Sequence, residues 1–337
     1  FLARMGVGVG ESTIAPCAHS LMADTLSSDQ LSKGFAIYSL GAVIGGALAY
    51  IVGGPLIAWA ATAFPSGVDI PLIGNIFSWQ IVFVIVGLPG IVIALLFVLT
   101  VNEPRRSIGN ASSESSISLK EVWAYLKSHR RAFLSIYGGI AILQIAAGGF
   151  SAWLPAMLER RFDIGPAEAP PYLVFSFILP GFASAIAAGW FGDRLLKSGV
   201  TDSHLRICAY STLICILPFG LAPLLESPQL MTGFLAIGFF FAYMHIILCP
   251  AALQLISPPG MRSVIASLVM VSQILIGAGT GPIIVALITD FGFGDENLLH
   301  VSIVIVTLVC TSLAAIAFFI GRKPFGELIK ARNVVAN

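Results

Sequence analysis

Gly189-Trp190-Phe191-Gly192-Asp193-Arg194-Leu195-Leu196-Lys197-Ser198-Gly199 is a short polar turn between two stretches, about 170–191 and 206–224, that are each apolar enough to cross a bilayer. A hydrocarbon core about 30 Å thick takes about 20 apolar residues at about 1.5 Å each. The same test finds further runs at about 1–23, 31–60, 79–101, 131–157, 229–255, 264–288 and 299–321, nine in all. An all-α, polytopic membrane protein is predicted. The composition agrees, with 57% hydrophobic and only 10% charged residues, where soluble domains carry about 25% charged.

Several function classes fall away on the same grounds. A formal net charge of +1 over 337 residues offers no basic field for nucleic acid. The cysteines (Cys17, Cys208, Cys215, Cys249 and Cys310) sit singly in apolar runs with no C-x-x-C, so neither a disulfide framework nor a metal site is expected. Gly6-Val7-Gly8-Val9-Gly10 follows no strand and is no dinucleotide loop. There is no G-x-x-x-x-G-K-[ST] to hold ATP, and no cofactor is expected. Gly292-Phe293-Gly294-Asp295 resembles an intramembrane protease motif, but no second helix-borne Asp faces it. A membrane enzyme is therefore only a distant alternative.

All Lys and Arg residues except Arg4, Arg160 and Arg161 fall in one alternate set of loops. The positive-inside rule then puts the C-terminus and the long break at 103–130 in the cytoplasm, and Phe1 on the outer side. That break, Glu103-Pro104-Arg105-Arg106 followed by Ser107 to Ser116, reads as a flexible linker. It divides the chain into three helices over 1–102, the linker, six helices over 131–321, and a tail over 322–337. Two equal halves of six would need three more helices upstream of Phe1, and an odd number also returns the N-terminus to the cytoplasm. The chain is thus expected to lack its first three helices. Gly41-x3-Gly45-Gly46 in the second run and Gly277-x-Gly279-x-Gly281-Pro282 in the eighth, each following a run with an internal proline (Pro16, Pro250), fit a transporter repeat.

Arg4 and Glu11 lie in one apolar run, seven residues apart, so about two helical turns put them on nearly one face. Each charge costs roughly 2.5–3.5 kcal/mol at the bilayer centre, which makes the pair a functional-site candidate. A structural ion pair that ties the helix to a neighbour satisfies the same spacing. His19, Tyr38, Gln144, Tyr243, His245 and Gln273 also fall at membrane depth. They are candidates either for lining a cavity or for hydrogen-bonding between helices.

The G-x-x-x-D-R turn at Gly189, Asp193 and Arg194 resembles the signature loop of the major facilitator superfamily, in its second-half copy. The resemblance implies two pseudo-symmetric six-helix bundles that rock about a central site, with this chain corresponding to helices four to twelve. It implies that Asp24 is the gating carboxylate ending the fourth helix, with its basic partner outside this chain. Arg4-x3-Gly8-x-Gly10-Glu11, Trp79, Gly87-Leu88-Pro89-Gly90 and Pro250-Ala251-Ala252-Leu253-Gln254-Leu255-Ile256 leading into Met261-Arg262 look like the spinster-type branch. That branch implies proton coupling through Glu11 and Arg4, gating through Arg262, and a small organic or lipid-like solute. It also implies a monomer in a bacterial inner membrane. One departure is Gln80, where the family usually has Arg. An organic-anion or sugar-acid symporter, or a transport-dead sensor, remain alternatives.

Overall fold

A computed structural model describes residues 2–70, 74–100, 118–165 and 168–336; the side chains of residues 2–13 and of several positions in the second helix lie outside the described ones. The helices are α1 (Leu2–Thr25), α2 (Leu31–Ala63), α3 (Ser78–Thr100), α4 (Leu119–Ser128), α5 (Arg130–Phe162), α6 (Ala169–Leu173), α7 (Leu179–Lys197), α8 (Ser203–Leu221), α9 (Pro228–Ala242), α10 (Met244–Ile256), α11 (Arg262–Met270), α12 (Gly281–Leu287) and α13 (Leu299–Ala336). Some join end to end into single spans, for example Ala169–Lys197, Pro228–Ile256 and Pro259–Phe293. Among the described residues seven spans are long and apolar enough to cross a membrane, and α1 and α2 occupy the first two expected runs. Lipid offers no hydrogen bonds to the backbone, so each span satisfies its own.

Π-helical turns at Val174–Ile178 and Val271–Ala278 interrupt two spans. They precede Pro180 and Gly281-Pro282, where a missing N–H and close packing disturb the regular ladder.

Three features depart from the sequence reading. The end of the stretch read as linker is the helix α4, closed by a capping box in which Ser118 and Glu121 satisfy each other's backbone N–H groups. Its apolar residues Val122 and Leu126 are buried, which anchors it. The residues read as a tail continue α13 without a break to Ala336, because Phe325 and Ile329 keep one face buried. A small hairpin, β1 (Val68–Ile70) and β2 (Gly74–Ile76), pairs Val68 with Ile76, the one sheet among the described residues. Gly67 before it adopts φ +79°, a left-handed turn that favours glycine.

Backbone contacts divide the chain into two units. Phe1–Leu40 with Ser116–Asn337 forms one, and Gly41–Ser115 the other. In the second unit α3 has no buried residue, and Phe83, Ile91, Ile93 and Leu99 are exposed. The first unit holds two apolar clusters stacked along the helices, one around Phe133, Leu248 and Phe318, the other around Phe150, Phe219 and Phe239. Glycines set the helix spacing there. A Cβ at Gly149 would lie 3.1 Å from Gly281 O and 3.1 Å from Val285 Cγ2, so α5 and α12 touch backbone to backbone. Gly149→Val is therefore expected to lower the thermal unfolding midpoint in detergent, by overpacking worth about 1–3 kcal/mol. Gly233→Ala in the interior of α9, where an added Cβ meets nothing within 4 Å, is expected not to lower it and to raise it slightly.

Candidate functional site

The signature turn lies at the end of α7. The Asp193 side chain, only 1% exposed, reaches the first turn of α2. Ser32 N–H donates to its Oδ1 and Lys33 N–H to its Oδ2, both at 3.0 Å. The first N–H groups of a helix have no partner within it, and they carry the positive end of the helix dipole. A carboxylate there is a charge-assisted cap supplied from another segment. The approach needs glycine on α7. A Cβ at Gly192 would lie 2.8 Å from Ser32 Oγ and 2.7 Å from Leu248 Cδ2, and one at Gly189 would lie 2.8 Å from Ala36 Cβ. The glycines of the motif and its carboxylate therefore act together: the former let the helices meet, the latter bonds them.

Two residues that the sequence reading did not single out complete the contact. Ser32 Oγ lies 2.8 Å from His204 Nε2, and Ser203 Oγ lies 3.1 Å from His204 Nδ1, with Ser32, Ser203 and His204 fully buried. The sequence signal was slight, a serine in the first turn of one helix and a histidine at the start of another. Beside them Lys197 Nζ pairs with Asp29 Oδ2 at 2.9 Å, closing the α7 end onto the α1–α2 turn. Arg194 takes no part in this bridge: its guanidinium lies over the Trp190 ring, 4.9 Å from the centroid.

A second lock joins α1 to α11. Arg262 Nη1 donates to Asp24 Oδ1 at 2.6 Å and to Ala23 O at 3.0 Å. Within the chain, then, Asp24 has a basic partner in Arg262. Asp24 ends α1 and Arg262 starts α11, and these two helices pack together. The two side chains are 26% and 15% exposed, so water screens the pair less than at an open surface. Nearby, Arg332 Nη1 donates to Leu255 O at 2.6 Å and to Ser257 O at 2.9 Å, holding α13 onto the turn after α10. Tyr125 OH donates to Ile256 O at 2.6 Å, which fastens α4 to the same turn.

The remaining candidates are spread. His19 is 7% exposed and packs edge-on to Phe35 and Tyr38, at centroid separations of 4.7 and 5.5 Å, so this pair of predicted residues does meet. His245 is buried with Nδ1 at 2.5 Å from Ala242 O, a contact within its own segment. Tyr243 lies with its ring tilted against Phe239, 5.4 Å between centroids, in the second apolar cluster. Gln144 on α5 and Gln273 on the π-helical turn are partly exposed on segments that pack together. Arg4 and Glu11 lie on the α1 backbone, and their side chains fall outside the described ones. Gln80 Oε1 accepts from Phe77 N–H at 2.8 Å, so this residue caps the start of α3.

The Asp24–Arg262 pair is worth on the order of 1–2 kcal/mol, a factor of about 5–30 in the equilibrium between the made and the broken contact. Asp24→Asn is expected to raise the alkylation rate of a cysteine placed at Leu255 by a comparable factor, at unchanged pH. A second expectation concerns Asp29, which lies outside the spans. A hydrogen bond from Ser27, then one from Lys197, holds its carboxyl down to about 2. A lowered carboxylate favours the folded contact above its ordinary range and loses that contribution only as pH falls through about 2. The Asp29 carboxylate is therefore expected to stay ionised from pH 4 to 8, and Asp29→Asn to leave the shape of any pH profile in that window unchanged.

The Major Facilitator Superfamily model matches residues 1–282. An MFS-type efflux pump of Mycolicibacterium smegmatis is 24% identical over 291 residues, covering 86% of this chain and 62% of that protein. Protein spinster homolog 1 of Rattus norvegicus is 29% identical over 175 residues, covering 51% of this chain and 30% of its own. The chain thus spans less than two thirds of these relatives. A bacterial homolog to the human lysosomal transporter spinster, crystallised in an inward-facing and unoccupied conformation, superposes with TM-score 0.53 at 18% identity. That match covers 94% of this chain and 83% of the other, and it shows a shared fold. With its family match, its membrane spans and its helix-capping signature turn together, this chain is an integral, multi-pass membrane protein and belongs to the Major Facilitator Superfamily.

Proposed function

We propose that the protein is a secondary active transporter rather than an enzyme, moving a small organic or lipid-like solute by alternating access and coupled to protons. The observation that carries this reading is the make-up of α1. One continuous helix, Leu2–Thr25, bears Arg4 and Glu11 two turns apart and carries in its last turn Asp24, the residue paired with Arg262. A change of charge on the helix is thereby tied to the contact that closes the basic end. In the proposed orientation that end, with the C-terminus, faces the cytoplasm, because the basic residues gather there.

Coupling needs a group that is charged in one state and neutral in the other. Desolvation disfavours a carboxylate's charge and a nearby guanidinium restores it, and a rocking motion alters both. Glu11 is the proposed proton carrier. Arg4 cannot give up its charge and serves as its electrostatic partner. Asp24 and Arg262, with the Asp193 cap, would hold the basic face shut while the other face opens. An amphiphilic cargo is what the spinster-type motifs of the sequence imply, and a bacterial inner membrane is the proposed location.

Two measurements test this. Glu11→Gln is expected to abolish proton-driven uptake in proteoliposomes while substrate exchange between equal pools continues; loss of substrate binding as well would assign Glu11 a structural role. Thermal stabilisation by lysophospholipids at two pH values is expected, since a ligand at 100 times its Kd adds about 2.7 kcal/mol. Stabilisation by hexuronates alone would replace the amphiphile with a sugar acid.

A further inference from the structure

Arg206 of α8 and Arg322 of α13 share one carboxylate. Asp202 Oδ1 lies 2.8 Å from Arg206 Nη2 and its Oδ2 lies 2.9 Å from Arg322 Nε, at the basic end of two helices that pack together. Lys323 and Lys330 stand beside them on α13, exposed and without an ion-pair partner among the described residues. With Glu327 these side chains line an open pocket of about 650 Å³. Its four cations meet two carboxylates, so two positive charges are left in excess.

The pocket gives onto an apolar face. On α8, Tyr210, Leu213 and Leu217 recur at helical spacing and are exposed; on α13, Leu313, Ile316 and Ile320 do the same up to Lys323. The junction is aromatic. Tyr210 stands edge-on to Phe319 at 5.3 Å, and the Arg322 guanidinium lies 5.5 Å from the first ring and 5.7 Å from the second. Two rings and a carboxylate thus hold this arginine where the apolar face gives way to charge. From Arg206 to Leu217 the helix descends about 16 Å at about 1.5 Å per residue, close to half of a hydrocarbon core about 30 Å thick. Both helices belong to membrane spans, so the pocket falls at the level of lipid headgroups and the apolar face at the depth of one leaflet's acyl chains.

We propose that this face binds an anionic phospholipid, with its phosphodiester in the pocket and its acyl chains along α8 and α13. Charge complementarity selects the occupant. A further apolar helix would cover the face and leave the excess positive charge unmet, whereas a soluble anion would meet the charge and leave the face bare. A lipid with a negative head answers both, and basic pockets between membrane helices recognise such headgroups. Arg322 bonds Asp202 through Nε, which leaves its Nη groups for phosphate oxygens. Seated there, the lipid ties α8 to α13 from outside. The inference depends on neither the cargo nor proton coupling.

The test is lipid binding to the purified, delipidated full chain in detergent, read by native mass spectrometry and by the thermal unfolding midpoint. Phosphatidylglycerol is expected to bind saturably and to raise the midpoint, and phosphatidylcholine with the same acyl chains to do neither. Lys323→Gln combined with Lys330→Gln is expected to weaken phosphatidylglycerol binding at least about tenfold, since each basic residue near an anionic lipid contributes a factor of about five. Arginine at both positions is expected to preserve it. Lys120→Gln with Lys127→Gln removes the same charge from exposed positions on α4 and is expected to leave binding unchanged, which separates this pocket from a general attraction to basic residues. Glu327→Gln gives an independent readout should the lysine variant fail to fold: loss of the carboxylate between the lysines is expected to tighten binding. Equal binding of the two lipids, an equal loss in the α4 variant, or undiminished binding without the two lysines would overturn the proposal. Saturable competition by a soluble acidic peptide would overturn it too, by assigning the face to a protein partner.

Discussion

A helix that ends at the edge of a membrane leaves its first N–H groups without partners, and α2 has that need met by a carboxylate from another segment. Asp193 sits on the N–H groups of Ser32 and Lys33, and much of the basic face is arranged so that it can. Gly189 and Gly192 clear the path, His204 fills the space behind Ser32, and Lys197 with Asp29 closes the flank. The contact is buried, so its charge-assisted bonds act in a medium of low polarity and are strengthened by it. They are also easily lost as a set, since a small shift of α7 breaks both together. Such a contact is either made or unmade, as the catch in the proposed alternating-access cycle would be.

The second lock differs in kind. Asp24 and Arg262 join the tips of two helices through one partly shielded ion pair, so its strength is modest. Modest strength suits a gate. A contact worth many kcal/mol would hold one state permanently, whereas one or two can be outweighed by a change of charge elsewhere on α1. Arg332 and Tyr125 bind the turn after α10 without touching α1 or α2 in these bonds, and so keep the receiving side rigid whether the lock is open or closed.

Much of the architecture was legible in the sequence because membrane burial leaves a strong mark. The apolar runs, the alternating basic loops and the G-x-x-x-D-R turn led to helices at the expected places and to a signature turn that caps a helix. What escaped was either short or carried by pairing. The α4 helix is amphipathic and brief, and only its capping box betrays it. The continuation of α13 depends on Phe325 and Ile329 finding cover, which no local pattern reports. Asp24 found its partner 238 residues away, a distance that local spacing does not bridge. Ser32 and His204 are ordinary residues made functional by one close approach.

The central claim is that charge on α1 governs the lock at its end. The most direct measurement is the distance between spin labels placed near the Asp24 and Arg262 ends of α1 and α11, followed from pH 5 to 8 in wild type and in Glu11→Gln. The account predicts that the wild-type distribution shifts between a short and a long population across this range, and that Glu11→Gln holds one population throughout. An identical pH-dependent shift in both proteins would contradict it, because the lock would then answer to a group other than Glu11.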